Sequence, residues 1–174
     1  MKVEKAARAN TTYVVDTSSW VDLDYNYPLG RFPEIWKRID GLIDFGRCVS
    51  PAEVYRELQE IDDAIARWAR SKPAAFPDDT PRLLELAAEV SNTFPQLVNA
   101  TKLRREADPF VIALALLIQE TSGMFSSALA VVSQETRSSN KTKIPDACMH
   151  YGLDHIRARE IIIREDWHFG TSPN

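Results

Sequence analysis

The run Thr12-Tyr13-Val14-Val15-Asp16 decides the fold, because it sets an acidic residue directly after a short apolar stretch. Consecutive β-branched and aromatic residues are typical of a buried strand. Two further runs have the same character, Arg47–Ser50 and Ala128–Val132, and we expect Tyr151–Leu153 to form a small edge strand. The chain therefore has several short apolar strands at wide intervals.

Longer segments with helical spacing of apolar residues separate these strands. Helices are predicted over Ser18–Tyr25, Phe32–Phe45, Ser50–Ala69, Arg82–Val98 with a break at Pro95, Phe110–Gln119, a short segment from Ile144, and Asp154–Asp166. Ser50, Pro51 and Glu53 stand in the order of an N-cap, a first helical residue and a capping-box acid. Strands alternating with helices predict an α/β fold, a three-layer α/β/α sandwich with a mostly parallel central sheet.

Length and composition predict one globular domain. The chain has 174 residues, of which 44% are hydrophobic and 26% charged, with residues 1–10 expected as a flexible arm and 170–174 as a loose tail. Its longest apolar run, Val111–Ile118, is far shorter than the about 20 residues of a membrane span, and its N-terminus does not have the pattern of a signal peptide. We therefore expect a cytoplasmic protein without membrane contact. A net charge of −4 argues against a protein that coats nucleic acid by charge alone.

Acidic residues follow the predicted strands or begin the helices after them. They are Asp16, Glu53, Glu57, Asp108, Glu135 and Asp146. In a parallel sheet the carboxyl ends of the strands meet at one edge, where ligands bind. The sequence has no glycine-rich phosphate loop and no converging Ser, His or Cys triad, so carboxylates are the candidate chemistry.

Converging carboxylates repel each other, by about 4 kcal/mol for two charges about 4 Å apart at an effective dielectric near 20. A divalent cation relieves this repulsion, and oxygen ligands without His or Cys suit Mg²⁺ or Mn²⁺. Such ions activate water for attack on a phosphodiester. The acids thus predict a site for Mg²⁺ or Mn²⁺ that is chemically able to act on a phosphodiester.

Each acid also has a structural interpretation. Asp108 and Asp146 stand where helix caps stand, and for Glu53 the capping box is the better explanation. Asp16 is the hardest to explain structurally, because Asp is a poor strand former and its polar groups need partners. Glu57 would suit a solvated helix face, and Glu135 would suit a solvated loop.

Four segments occur in an order that is itself informative: Val14–Ser18, Val54–Leu58, Ala107–Ala115 and Val131–Glu135. They resemble, over roughly residues 12–155, the PIN-domain ribonucleases, the fold of VapC-type toxins in toxin–antitoxin pairs. Lys143–Cys148 and the terminal Trp-x-Phe are similar to a PIN-like branch of unassigned function. The resemblance implies a PIN-like sandwich and a metal-dependent endoribonuclease.

The resemblance also implies roles for the acids. The resemblance implies that Mg²⁺ or Mn²⁺ would be held by Asp16, Glu57 and Asp108. A fourth acid, Asp146 or Glu135, would complete the catalytic pocket. Glu135 stands where the family has Asp, one methylene shorter, so Asp146 is the alternative ligand. Glu53 is the alternative to Glu57, although the Glu-Leu context favours Glu57. The Ser18 and Ser133 hydroxyls would support the site.

The resemblance implies that the substrate is single-stranded or structured RNA and that the chain is the toxin of a pair, bound by an antitoxin protein and able to form a homodimer. Basic residues near the acids could hold phosphates: Arg104, Arg105, Lys141 and Lys143. A solvated basic loop explains them equally well. Trp36 and Trp68 are candidate anchors for an antitoxin helix.

Two alternatives remain. A degenerate PIN module would bind RNA or a protein partner without cleavage. A phosphatase on another α/β fold would need Asp-x-Asp after the first strand, and Asp16-Thr17-Ser18 lacks the second Asp.

Overall fold

The sheet is parallel throughout. The computed structural model describes residues 10–61, 64–98, 106–122, 128–137 and 142–169. Within these ranges four strands form one sheet in the order β2-β1-β3-β4: β1 (Thr12–Val15), β2 (Cys48–Val49), β3 (Leu129–Val132) and β4 (Asp154–Ile156). All three pairings are parallel, which places the carboxyl ends of the strands at one edge.

Eight α-helices of the described residues flank the sheet and complete the three-layer α/β/α sandwich. They are α1 (Thr17–Asn26), α2 (Pro33–Asp44), α3 (Ala52–Gln59), α4 (Ala64–Arg70), α5 (Pro81–Thr93), α6 (Ala107–Ser122), α7 (Ile144–Tyr151) and α8 (Arg159–Arg164). Short 3₁₀ turns cover Pro73–Ala75 and Pro95–Leu97. The predicted fold class is confirmed, and the break at Pro95 occurs where proline was expected to cause it.

The two central strands are covered on both faces. Residues 13–15 of β1 and 130–132 of β3 are fully buried, as their continuous apolar runs predict for a parallel sheet. Beside the sheet, three indoles pack together. The Trp20 and Trp68 ring centroids lie 4.8 Å apart, and those of Trp36 and Trp68 lie 4.9 Å apart. Trp36 and Trp68 are only 3% and 7% exposed, so the prediction that they anchor a partner helix is wrong, because both belong to the core.

Ser50 does not cap a helix. Its hydroxyl donates to the Val15 carbonyl at 2.6 Å and accepts from the Trp20 indole N–H at 2.9 Å. The N-cap of α3 is Pro51, and α3 starts at Ala52. The predicted capping box is therefore wrong, since this hydroxyl is used to join the end of β1 to α1.

The region after residue 150 also differs from prediction. Tyr151 ends α7, and Gly152 follows with a positive φ of 66° as its C-cap. The edge strand comes later, with Asp154 as its first residue, and the last helix is α8. Pairing of β4 with β3 therefore outweighs the tendency of Asp154 to cap a helix. Among the described residues, no helix has the length and apolar character needed to cross a membrane.

Candidate functional site

Asp16 lies at the carboxyl end of β1 and is the N-cap of α1. Its Oδ2 accepts from the Ser18 backbone N–H at 3.2 Å and from the Ser18 hydroxyl at 2.6 Å. Asp16 is 5% exposed. Burial and, to a smaller extent, the charge of Glu57 raise the pKa of Asp16 to about 6, against the hydrogen bonds from Ser18. Asp16 is thus a buried carboxyl within electrostatic reach of Glu57.

Glu57 joins three segments of the chain. It lies on α3, and its Oε2 accepts from the Thr17 hydroxyl at 2.5 Å. Its Oε1 accepts from the backbone N–H of Ala107, the first residue of α6, at 3.3 Å. Glu57 therefore lies between the start of α1 and the start of α6, beside Asp16.

Asp108 is the second residue of α6 and carries the largest carboxyl pKa change. Burial, and after it the charges of Asp16, Glu135, Glu57 and Glu106, together raise the pKa of Asp108 to about 8. A group responds to charges in this way only when they are close. Asp108 is therefore within electrostatic reach of these acids, and without a cation it holds its proton at neutral pH.

Glu135 enters the site from the turn after β3. Its backbone N–H donates to the Ser133 hydroxyl at 3.3 Å, and its Oε2 accepts from the Ile144 N–H at 2.9 Å. Lys143 Nζ lies 4.0 Å from its Oε1. The structure thus fixes Glu135 at the carboxyl end of the central strands, where its charge reaches Asp108.

The Asp146 carboxylate is hydrogen-bonded at the start of α7. Its Oδ2 accepts from the Lys143 N–H at 3.0 Å, and its Oδ1 lies 3.1 Å from Arg137 Nε. Its carboxylate therefore has a capping role, the structural interpretation that its sequence position also suggested.

Glu53 points into a different environment from Glu57. It is 1% exposed, and its Oε1 lies 2.6 Å from Arg56 Nη1. Burial raises the pKa of Glu53, and among its charged neighbours Asp79 raises it and Arg56 lowers it. The contacts described for Glu53 are thus with its own helix and with the Asp79 segment.

The two serines link strand ends. The Ser18 hydroxyl, besides donating to Asp16, accepts from the Gln134 N–H at 3.1 Å, which joins the start of α1 to the turn after β3. Ser133 Oγ lies 2.9 Å from His155 Nε2. Sequence reasoning missed Thr17 and His155. Thr17 was signalled by its place between Asp16 and Ser18, whereas no sequence feature connected His155 with Ser133.

The basic residues are described only in part. Arg104, Arg105 and Lys141 lie outside the described residues. Lys143 is close to Glu135. Arg137 pairs with Asp146, so the two cations of this region for which the structure gives positions both lie beside acids.

The donor chemistry of the cluster suits a hard divalent cation, since carboxylate oxygens are the ligands that Mg²⁺ and Mn²⁺ prefer. Across the described ranges, no group of three or more Asp, Glu, His or Cys side chains stands in a metal-coordinating arrangement. Asp16, Glu57 and Glu135 are hydrogen-bonded to protein donors instead. An ion would therefore have to replace some of these donors.

Fold and site together define a parallel α/β sandwich with an acidic cluster at the carboxyl edge of its sheet. The family described as a domain of unknown function, DUF4411, has a sequence model that matches residues 13–169, and the chain belongs to this family. A search of curated proteins finds no match.

Proposed function

We propose that the protein is a metal-dependent endoribonuclease whose acidic cluster holds Mg²⁺ or Mn²⁺. One observation carries the proposal: burial and the charges of Asp16, Glu57 and Glu135 raise the pKa of Asp108 to about 8. These acids come from the end of β1, from α3, from the start of α6 and from the turn after β3. Repulsion between these carboxylates lowers the stability of the folded protein, and a bound cation would restore it.

Asp16, Glu57, Asp108 and Glu135 are the residues that would hold the ion. Glu135 is preferred to Asp146 as the fourth, because its charge raises the pKa of Asp108 whereas the Asp146 carboxylate caps α7. When bound, the metal would activate a water and stabilise the leaving oxygen of a phosphodiester. Asp108 would have to lose its carboxyl proton to hold the ion, since ligating carboxylates must be ionised.

The chain's hydroxyls orient these acids. Thr17 Oγ1 holds Oε2 of Glu57, and Ser18 Oγ holds Oδ2 of Asp16. Both hydroxyls lie in the first turn of α1, so one rigid helix start fixes two carboxylates. This arrangement supports preorganised ligands, which catalysis by a bound ion requires.

The substrate part of the proposal is RNA, single-stranded or structured, in keeping with the resemblance to PIN-domain ribonucleases. Lys143, with Arg104, Arg105 and Lys141, would contact phosphates. The same resemblance supports a toxin that an antitoxin protein holds inactive and that forms a homodimer. A cytoplasmic location remains the expectation from the sequence pattern.

A non-cleaving PIN-like module is the second candidate, and one observation favours it. The oxygens of Asp16, Glu57 and Glu135 accept hydrogen bonds from protein donors. A cluster that has lost its metal could be kept in place by such bonds.

Cleavage of a mixed single-stranded RNA pool tests the proposal. Wild type, Asp16→Asn and Asp44→Asn are compared in Mn²⁺, in Mg²⁺ and in EDTA, after removal of any co-purifying protein. Asp44 ends α2 and is exposed, so its variant removes one charge outside the cluster. Cleavage that needs metal, survives in Asp44→Asn and is lost in Asp16→Asn supports the nuclease. RNA binding without cleavage by any protein supports the non-cleaving module.

A further inference from the structure

A hydrogen-bonded chain leads from the edge of the sheet to the acidic cluster. His155 lies in the middle of β4, in register with Val131 of β3, and is half-buried. Its Nε2 is 2.9 Å from Ser133 Oγ, and that oxygen accepts from the Glu135 N–H at 3.3 Å. His155 is therefore two hydrogen bonds from the backbone of a candidate metal ligand.

The Ser133 hydroxyl can bond to His155 and to the Glu135 N–H at the same time. It has one proton and two lone pairs, and the Glu135 N–H uses one lone pair. Desolvation lowers the pKa of His155, which favours the neutral imidazole. With its proton on Nδ1 the neutral ring accepts the Ser133 proton at Nε2, and with its proton on Nε2 it donates to the second lone pair of the hydroxyl. Ser133 is therefore hydrogen-bonded to His155 in either tautomer.

This arrangement fixes the rotamer of Ser133. A serine hydroxyl has three staggered positions about χ1, and the bond to Nε2 selects the one that also faces the Glu135 N–H. The imidazole is itself held by the β3–β4 pairing. His155 on β4 thus helps to fix, through Ser133, the turn that carries Glu135.

We infer that His155 is a positioning residue for Glu135 and acts through the Ser133 hydroxyl. The inference rests on the proposed function, because it assumes that Glu135 is a metal ligand. The effect of losing residues that orient a ligand is typically a 10–100-fold decrease in metal affinity. We expect a decrease within this range when the hydrogen bond between His155 and Ser133 is lost.

Manganese binding, followed by the electron paramagnetic resonance signal of free Mn²⁺, tests the inference on the full chain. His155→Phe keeps a planar ring without a hydrogen-bonding nitrogen, and His155→Gln keeps an amide that can accept from or donate to the Ser133 hydroxyl. Ile156→Val is the matched control, since it removes one methylene from the next residue of β4, which is 2% exposed. Thermal unfolding reports the stability of each variant.

The expected result is a 10–100-fold weaker Mn²⁺ affinity in His155→Phe, near wild-type affinity in His155→Gln, and no change in Ile156→Val. Ser133→Ala breaks the same chain with a smaller change and should weaken binding similarly if His155→Phe fails to fold. In a Glu135→Gln background, loss of the imidazole or of the hydroxyl should have no further effect on affinity, because residues that act in series are non-additive.

Two other outcomes separate this inference from the proposed function. If wild type binds Mn²⁺ and neither His155→Phe nor Ser133→Ala weakens binding, or if their effects add fully to that of Glu135→Gln, the positioning role is wrong and the metal site stands. If wild type binds no Mn²⁺, the metal site itself is wrong, and the inference falls with it.

Discussion

Thr17 donates its hydroxyl proton to Glu57 across 40 positions of sequence, with 2.5 Å between Oγ1 and Oε2. The donor is the first residue of α1, and the acceptor lies in the last two turns of α3. The other Glu57 oxygen accepts from the first N–H of α6. A single side chain therefore connects three helix segments around the acidic cluster.

Replacing Thr17 should uncouple Glu57 from α1. Thr17→Val keeps the shape of the side chain and removes the hydroxyl, so we expect about 10-fold weaker Mn²⁺ binding, the lower limit for loss of a ligand-orienting residue. Thr17→Ser should restore most of it. Thr121→Val is the control, because within the described part of the chain that hydroxyl bonds to carbonyls of its own helix, α6. Equal affinities in Thr17→Val and wild type would show that Glu57 needs no orientation.

Loss of charge should affect RNA cleavage strongly at Glu57 and only weakly at Glu53. Glu57→Gln should abolish metal-dependent RNA cleavage, because it removes a charged ligand from the cluster. Glu53→Gln should leave the cleavage rate within a few-fold of wild type, because its carboxylate is paired with Arg56. Rates measured at matched protein concentration decide between them. The reverse pattern would move the second ligand one turn upstream.

This pair also shows where sequence reasoning reaches its limit. The strands and their parallel order could be predicted, because fully buried β1 and β3 need the continuous apolar runs that the sequence displays. Asp16 could also be predicted as a site residue, because it is the first residue after such a run. Glu53 and Glu57 lie only about 40° apart around a helix, so spacing alone could not say which one faces α1 and α6.

Long-range pairing accounts for the predictions that failed. Ser50 has the local signature of a cap, yet its hydroxyl bonds to Val15 and Trp20. Asp154 has a similar signature but begins β4, because β3 offers it a partner strand. His155 could not be assigned to the site, since its contact with Ser133 depends on the register of two strands that are distant in sequence.

The pKa of Asp108 predicts how the stability of the metal-free protein changes with pH. Its value is about 8 in the folded protein and close to 3.9 in an unfolded chain. Between these values the folded state binds more protons, so the free energy of unfolding falls as pH rises. This stabilising contribution is fully present below about pH 4 and is lost as pH rises through 8.

We therefore expect the unfolding midpoint of wild type in EDTA to fall between pH 6.5 and 8, and to fall less in Asp108→Asn. A difference of 1 kcal/mol corresponds to about 2–4 °C for a chain of this size. Scanning calorimetry of both proteins measures it, with Asp44→Asn as the charge control. Adding Mn²⁺ at pH 8 should raise the wild-type midpoint by mass action and should have little effect in Asp108→Asn. Parallel pH curves for wild type and Asp108→Asn would show that Asp108 titrates normally.

The fourth ligand can be identified by comparing Glu135 with Asp146. Asp146→Asn weakens the bond to the Lys143 N–H and the pairing with Arg137, so it should cost about 0.5–2 kcal/mol of stability, the range for a lost helix cap. Its Mn²⁺ affinity should stay near that of wild type. Glu135→Gln should instead lower Mn²⁺ affinity, because it removes a charged ligand, and this loss outweighs the easier ionisation of Asp108 that follows when the Glu135 charge is gone.

Stability and affinity must be measured on the same samples, since each variant is expected to change one of them more than the other. Thermal unfolding in EDTA reports the capping role, and Mn²⁺ titration reports the ligand role. Weaker binding in Asp146→Asn with unchanged binding in Glu135→Gln would reverse the assignment. In that case the Asp146 carboxylate would have to leave the start of α7 to reach the ion, and metal binding should then lower the hydrogen-exchange protection of the first turn of α7.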